Sequence, residues 1–203
     1  TNSAWMERPG RVGVERGPLQ SPTPTVLMVP SQGNQLENAR RFSKLEDTND
    51  HEDIVETLRI LDPKLRKLAV ALSCDEPLLK ADIGMGRLVP MPYLGDGMNG
   101  LVSLALGVAS CPNGLVLIDE IGTGLYHGSL AEVWRALAQL ARKRDVQIVA
   151  TTHSYDCIDA AEEAFRGCDP YDFSLQRIEA IDGQRRVVPF DEETLHTALE
   201  MHM

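Results

Sequence analysis

Gly114–Leu115–Val116–Leu117–Ile118–Asp119–Glu120 is an aliphatic run that stops on two adjacent carboxylates. Four large aliphatics in succession fit a strand of a parallel sheet, both of whose faces are covered. Packing has no use for Asp119 and Glu120 at the end of such a strand. Ligands of open α/β folds bind at the C-terminal edge of the sheet. There, one carboxylate can hold a hydrated magnesium ion and the next can polarise a water for attack on a phosphate. Taken alone, the segment also reads as an ordinary strand end.

The residues downstream favour the chemical reading. A second strand, Val146–Gln147–Ile148–Val149–Ala150–Thr151–Thr152, ends on His153–Ser154. Between the two strands, Ser129 to Arg144 places Leu130, Val133, Trp134, Leu137, Leu140 and Ala141 on one face at helical spacing. Strand, helix and strand predict a crossover unit with parallel strands. His153 then leaves the sheet at the same edge as Asp119 and Glu120. Upstream, Tyr93–Leu94–Gly95–Asp96–Gly97–Met98–Asn99 precedes an apolar helix from Leu101 to Ala109. Its glycines permit close approach of backbone to a ligand, and the helix N-terminus offers free N–H groups to an anion. Asp96 as a plain N-cap is the simpler reading of that loop by itself.

In this order the segments resemble the C-terminal lobe of ABC-class ATPases. Within that class they are most similar to stand-alone AAA-type proteins related to the SMC and OLD families. Leu94–Gly95–Asp96–Gly97 stands at the place of the signature loop, and Leu115 to Glu120 matches Walker B. Ile121–Gly122–Thr123–Gly124–Leu125–Tyr126–His127 occupies the D-loop, with Tyr126–His127 a loose match; Ala150–Thr151–Thr152–His153–Ser154 matches the H-loop strand. The resemblance runs from Thr25 to the C-terminus. It departs from the family at Gly95, where most transporters carry a serine, so backbone N–H groups would replace the hydroxyl. It departs more deeply in the phosphate-binding loop: no G-x-x-x-x-G-K-[ST] occurs, and Gly10 to Gly17 has neither the spacing nor the lysine. In the family that loop lies upstream, and the chain begins at Thr1. The expectation is the C-terminal part of an ABC-type P-loop NTPase fold without its P-loop, partnered by an N-terminal lobe that supplies it.

The resemblance implies roles for individual residues. Asp119 positions Mg²⁺, Glu120 orients the attacking water and His153 holds the γ-phosphate of ATP. Gly95, Asp96 and Gly97 cap the nucleotide of a second protomer, which makes a homodimer nucleotide-dependent. Relatives act in DNA repair, chromosome maintenance and phage defence, often with a nuclease as effector. Two other readings stand beside this one. A non-catalytic interaction domain would keep the fold and dimer surface without productive nucleotide binding, and a phosphohydrolase would use Asp119 and Glu120 alone.

Composition sets outer bounds. The chain has 203 residues, 43% of them hydrophobic, enough for one domain with a core. No apolar run reaches the ~20 residues of a membrane span and no secretory signal is evident, so the cytoplasm is expected. Cys74, Cys111, Cys157 and Cys168 lack C-x-x-C spacing and read as reduced thiols. A net charge of −10 argues against a broad nucleic-acid footprint. Arg40–Arg41, Lys64 to Lys67 and Arg142 to Arg144 fall on expected helices and read as solvated faces, with a DNA-tracking role the alternative; Arg185–Arg186 is a further basic pair.

The overall class expected is α/β, with parallel core strands, crossover helices and antiparallel hairpins at the margins. Residues 1–24 read as a flexible connector, 25–110 as a helical and signature subdomain, and 111–203 as the lobe carrying Walker B and the H-loop. Thr25 to Val29 is a short buried strand ending at Pro30. Gly33 to Leu45, Asp50 to Leu61 and Lys64 to Leu72 carry helical patterns, with Asp62–Pro63 as a break. Leu78 to Ile83 and Arg87 to Pro92 form a hairpin through Gly84–Met85–Gly86. Asp156 to Phe165 is a helix. Phe173 to Ile181 and Gln184 to Phe190 form a second hairpin through Asp182–Gly183, and Glu192 to Met203 closes as a helix.

Overall fold

The run at residues 115–118 is the middle strand of a three-stranded parallel sheet. The structure, a computed structural model, describes residues 3–8, 11–15, 23–29, 34–73, 76–181 and 183–201. In chain order, β1 (Ser3–Arg8) and β2 (Arg11–Glu15) pair antiparallel, and β3 (Thr25–Met28) follows. Next come α1 (Gln35–Asp47), α2 (Glu52–Leu58), β4 (Lys67–Ser73), β5 (Glu76–Asp82) and β6 (Val89–Pro90). A short 3-10 helix, Met91–Leu94, leads into α3 (Asp96–Ala109), then β7 (Leu115–Ile118), α4 (Leu130–Arg144), β8 (Gln147–Ala150) and α5 (Tyr155–Phe165). The last elements are β9 (Leu175–Ile181), β10 (Gln184–Phe190) and α6 (Glu192–Glu200). The parallel sheet has the order β3-β7-β8; β4-β5-β6 and β9-β10 are separate antiparallel sheets. This is the mixed α/β class that the sequence implies, and no helix among the described residues is long and apolar enough to cross a membrane.

One core serves the whole array. Helix α3 is buried on nearly all sides, as expected of an apolar helix at the centre of a domain. It packs against α1, α2 and α4, and against β3. Gly107 permits the close approach to β3, since a Cβ there would lie 1.9 Å from Met28 Sδ. Val116 and Ile118 of β7 join this core together with Leu137 and Leu140 of α4. Among its few buried polar groups, Asn38 Nδ2 donates to Ser103 Oγ at 2.8 Å and Ser103 Oγ donates to the Asn99 carbonyl at 2.8 Å, which satisfies both. β3 shares the parallel sheet with β7 and β8, and Met28 of β3 belongs to the same core cluster as Val116 and Ile118.

Several elements differ from expectation. Residues 64–72 are not helical: Lys67–Ser73 is a strand in continuous antiparallel register with β5, from Lys67↔Asp82 to Ser73↔Glu76. The leucine, lysine, arginine and alanine residues of this segment are good helix formers, but cross-strand pairing and the burial of Leu68 outweigh that local preference. Strands β3 and β8 are not buried on both faces; Leu27 is 67% exposed and Val149 48% exposed. Helix α2 ends at Leu58 rather than Leu61. Part of the expected connector is the β1–β2 hairpin, while residues 9–10 and 16–22 lie outside the described residues. So do Pro30, Gly33, Cys74, Asp182 and the last two residues. Cys111 and Cys157 are buried free thiols, and Cys168 is a half-buried one.

The basic end of α4 is solvated at Arg142 and Lys143, whose side chains are 43% and 63% exposed, but Arg144 is withdrawn from water. Arg144, only 12% exposed, pairs with Asp50 at 3.1 Å and Asp53 at 2.9 Å, and Lys143 pairs with Asp53 at 2.6 Å. Arg142 makes a two-pronged contact with Asp172, at 2.7 and 2.6 Å. These cations also sit where the helix dipole favours positive charge. The network ties α4 to α2 and to the segment before β9.

Candidate functional site

The parallel register carries Asp119 and Thr151 one step past the paired residues Ile118 and Ala150. Three backbone bonds extend the sheet to this level: Asp119 N–H donates to the Met28 carbonyl, Thr151 N–H to Ile118 and Ile121 N–H to Thr151, each at 2.9 Å. Asp119, Glu120 and His153 therefore meet at one end of adjacent parallel strands, the geometry that the motif order predicts. His153 Nε2 lies 3.2 Å from Glu120 Oε1, and the imidazole is 93% exposed. His153 immediately precedes Ser154, whose side chain caps α5 by accepting the Cys157 N–H.

Glu120 has φ +59°, in the left-handed region. For a residue with a Cβ this costs on the order of 1 kcal/mol or more and persists where neighbours hold it. Here the Glu120 N–H donates to Thr151 Oγ1 at 3.0 Å, and Thr151 Oγ1 in turn donates to Asp119 Oδ1 at 2.8 Å. The chain then turns inward: Ile121 is buried, and its carbonyl accepts from the Cys157 thiol at 3.5 Å. Burial holds that thiol above its usual pKa, which keeps it a neutral packing group beneath the loop. Trp134 Nε1 donates to the Cys157 carbonyl at 3.1 Å and fixes α5 against α4.

Thr151 is the site residue that motif reading misses. Its signal was available: alternation along β8 places residue 151 on the same face as residue 149, and parallel register brings it beside Asp119. Only the register of β8 against β7 was lacking.

The loop at Gly95 lies on a different part of this edge. Gly95, with φ +90°, precedes α3 as its N-cap, so Asp96 is the first helical residue and not the cap. No protein atom comes within 4 Å of where a Gly95 Cβ would sit. Asn99 Nδ2 donates to the Gly95 carbonyl at 2.9 Å, and Gln35 Nε2 donates to Asn99 Oδ1 at 3.1 Å, anchoring the loop to α1. Asp96 and Gly97 adjoin Gly124, at 3.8 Å and 3.7 Å from the relevant Cβ positions. The exposed loop therefore rests on the far limb of the 121–125 turn rather than standing clear of that segment. Among the described residues, no hydrogen bond or ion pair joins residues 95–97 to Asp119, Glu120 or His153.

The site is an open edge. Clefts of about 350 Å³ and 540 Å³ lie elsewhere, the first lined by residues including Asp53 and Arg144, the second by residues including Arg59 and Arg66; none of their lining residues belongs to the carboxylate edge. Among the described residues no three His, Cys, Asp or Glu side chains converge on a metal position. One exposed aspartate beside a hydroxyl does fit magnesium, which is held by one or two carboxylates together with water and substrate phosphates.

The comparisons with known proteins identify this parallel sheet and the helices that bury its inner face as an AAA/ABC-type ATPase fold. The family model described as "AAA domain, putative AbiEii toxin, Type IV TA system" matches residues 29–159, and the chain belongs to that family. Its fold is that of SMC ATPase heads. One solved structure, titled for ATP-driven dimerization and DNA stimulated activation of SMC ATPases, matches with a TM-score of 0.55 at 16% identity, over 83% of this chain and 97% of that one. The SMC head domain from Thermotoga maritima matches with a TM-score of 0.52 at 16% identity, over 81% of this chain. An SMC head bound to the C-winged helix domain of ScpA matches with a TM-score of 0.50 at 17% identity, over 73% of this chain. The chain spans 53% of the Thermotoga head and 43% of the ScpA-bound one. No curated protein matches the chain by sequence.

Proposed function

We propose that this chain is the carboxylate-bearing lobe of an ATP-hydrolysing head, in which Asp119 binds the magnesium of Mg·ATP, Glu120 orients the attacking water and His153 contacts the γ-phosphate. The observation that carries this reading is the cluster itself: Asp119, Glu120 and His153 converge at the edge of β7 and β8, with Glu120 held in a left-handed conformation. Bound magnesium would neutralise phosphate charge. Glu120, by its position beside His153, accepts a proton from water or aligns it, and His153 offers a donor to phosphate oxygen.

The phosphate cradle comes from a further lobe. The open face of the sheet supports this: Leu27, Leu117 and Val149 are in register across the three strands, and the next row contains Asp119 and Thr151. Parallel sheets are covered on both faces, so an apolar helix laid on that row would bring its own N-terminus to Asp119. Gly95 and Asp96, which are exposed, and the half-buried Gly97 cap the nucleotide of a second protomer. The chain thus works as a nucleotide-dependent dimer switch in the cytoplasm, coupled to an effector such as a nuclease in DNA repair or phage defence.

The test is Glu120→Gln in the assembly that also carries a phosphate-binding loop. ATP binding by calorimetry persists, and turnover falls by about 10²–10⁴-fold. The chain without that loop binds ATP weakly or not at all. Wild-type turnover in Glu120→Gln would favour the interaction-domain reading, which the lack of a G-x-x-x-x-G-K-[ST] sequence in this chain supports.

A further inference from the structure

We infer that Thr151 is a positioning residue, whose single hydroxyl locks the Asp119 carboxylate and the Glu120 backbone into the geometry needed to hold magnesium and orient water. The inference rests on the ATPase reading of this site and gives a role to a residue of the H-loop segment to which the motif assigns none. A threonine hydroxyl has one proton to give and can accept another bond. Both capacities are used: the hydroxyl donates to Asp119 Oδ1 at 2.8 Å and accepts the Glu120 N–H at 3.0 Å. Two adjacent residues just past the end of β7 are therefore tied to one atom just past the end of β8, thirty-two and thirty-one positions away.

The contact has two consequences. The bond to Oδ1 fixes the Asp119 rotamer and leaves Oδ2 as the oxygen for a cation. The bond from the Glu120 N–H compensates the left-handed conformation at φ +59°, which aims the Glu120 side chain toward His153 rather than along the strand. Thr151 is itself exposed, so the hydroxyl has no role in filling the core. The β-branch suits an edge strand, but valine would supply that equally well; only the hydroxyl makes the bridge.

The experiment compares wild type, Thr151→Val and Thr151→Ser, with Glu120→Gln as control. Amide hydrogen exchange at Glu120, measured by NMR on the 203-residue chain without nucleotide, reads the clamp directly. Thr151→Val exchanges about fivefold to tenfold faster, and Thr151→Ser stays near wild type. Magnesium titration of ATP turnover, in the assembly with a phosphate-binding loop, reads the consequence. Thr151→Val needs about tenfold to a hundredfold more Mg²⁺ for half-maximal rate, with KM for ATP unchanged at saturating Mg²⁺, and serine restores it. A merely structural role would lower stability without moving the magnesium requirement. Unchanged exchange in Thr151→Val, or faster exchange with an unchanged magnesium requirement, overturns the inference. If instead Glu120→Gln leaves turnover intact, it is the ATPase reading that fails, and the exchange measurement still judges the clamp.

Discussion

The two faces of the β3-β7-β8 sheet are built from the same three strands and have opposite fates. The inner face, with Met28, Val116 and Ile118, is sealed beneath α3 and α4; Val116 is fully buried and Ile118 2% exposed. The outer face, with Leu27, Leu117 and Val149, is partly or largely exposed and leads directly to Asp119 and Thr151. Alternation along a strand assigns each residue to a face, but among the described residues helices cover only one of them. The difference teaches where this chain's stability resides and where its chemistry does. The inner face makes the fold, and the outer face ends at the carboxylate edge that we assign to ATP.

The largest effect on stability belongs to the inner face. Ile118→Ala removes buried methylene groups beneath the site and leaves a cavity, and the expected loss is about 2–5 kcal/mol in urea or thermal unfolding. A loss below about 0.5 kcal/mol would show that the inner face is not the stabilising one.

A buried carboxylate on α5, away from either sheet face, sets a smaller effect beside the first. Glu162 is 4% exposed at its side chain and is held by Arg166 at 2.7 Å, with His196 Nδ1 at 3.1 Å. The Arg166 hydrogen bonds hold its carboxyl below the ordinary value of 4.5, against an opposing contribution from burial. A depressed folded pKa means that stability is fully present above pH 4.5 and is lost as pH falls through the lower folded value. Arg166 is 57% exposed, so solvent screening holds the expected contribution to about 1 kcal/mol. Glu162→Gln should remove this acid-side loss from a stability-versus-pH series. An unchanged slope below pH 4.5 would remove Glu162 from the account.

The smallest effect is expected on the outer face. Leu27→Ser and Val149→Thr should each change the stability of this chain by less than about 0.5 kcal/mol, since their side chains are already hydrated. The same substitutions should weaken association with a covering lobe, measured by calorimetry or sedimentation. If Leu27→Ser destabilised this chain as much as Ile118→Ala, the contrast between the faces would collapse.

Legibility followed the range of the interactions. The β7 strand, the helix α4 and the β9–β10 hairpin were readable because each is specified by a short stretch: an aliphatic run, a 3.6-residue stripe, an Asp–Gly sequence. The convergence of Asp119, Glu120 and His153 was readable as well, since a strand–helix–strand unit with parallel pairing places both strand ends on one edge. Lys67–Ser73 was misread because its residues favour a helix in isolation, and its true partner is the strand that follows it. Arg144 was misread because its acids lie ninety-one to ninety-four positions upstream.

By itself, then, the sequence determined the order of the elements and the acidic end of the central strand, because both are written in local pattern. Only the tertiary structure decided that one sheet face stays open, that Arg144 is sequestered, and that Thr151 binds Asp119 and Glu120 together. Each of these depends on which strand or helix comes to lie beside another, and that choice is made by burial and register across the whole chain.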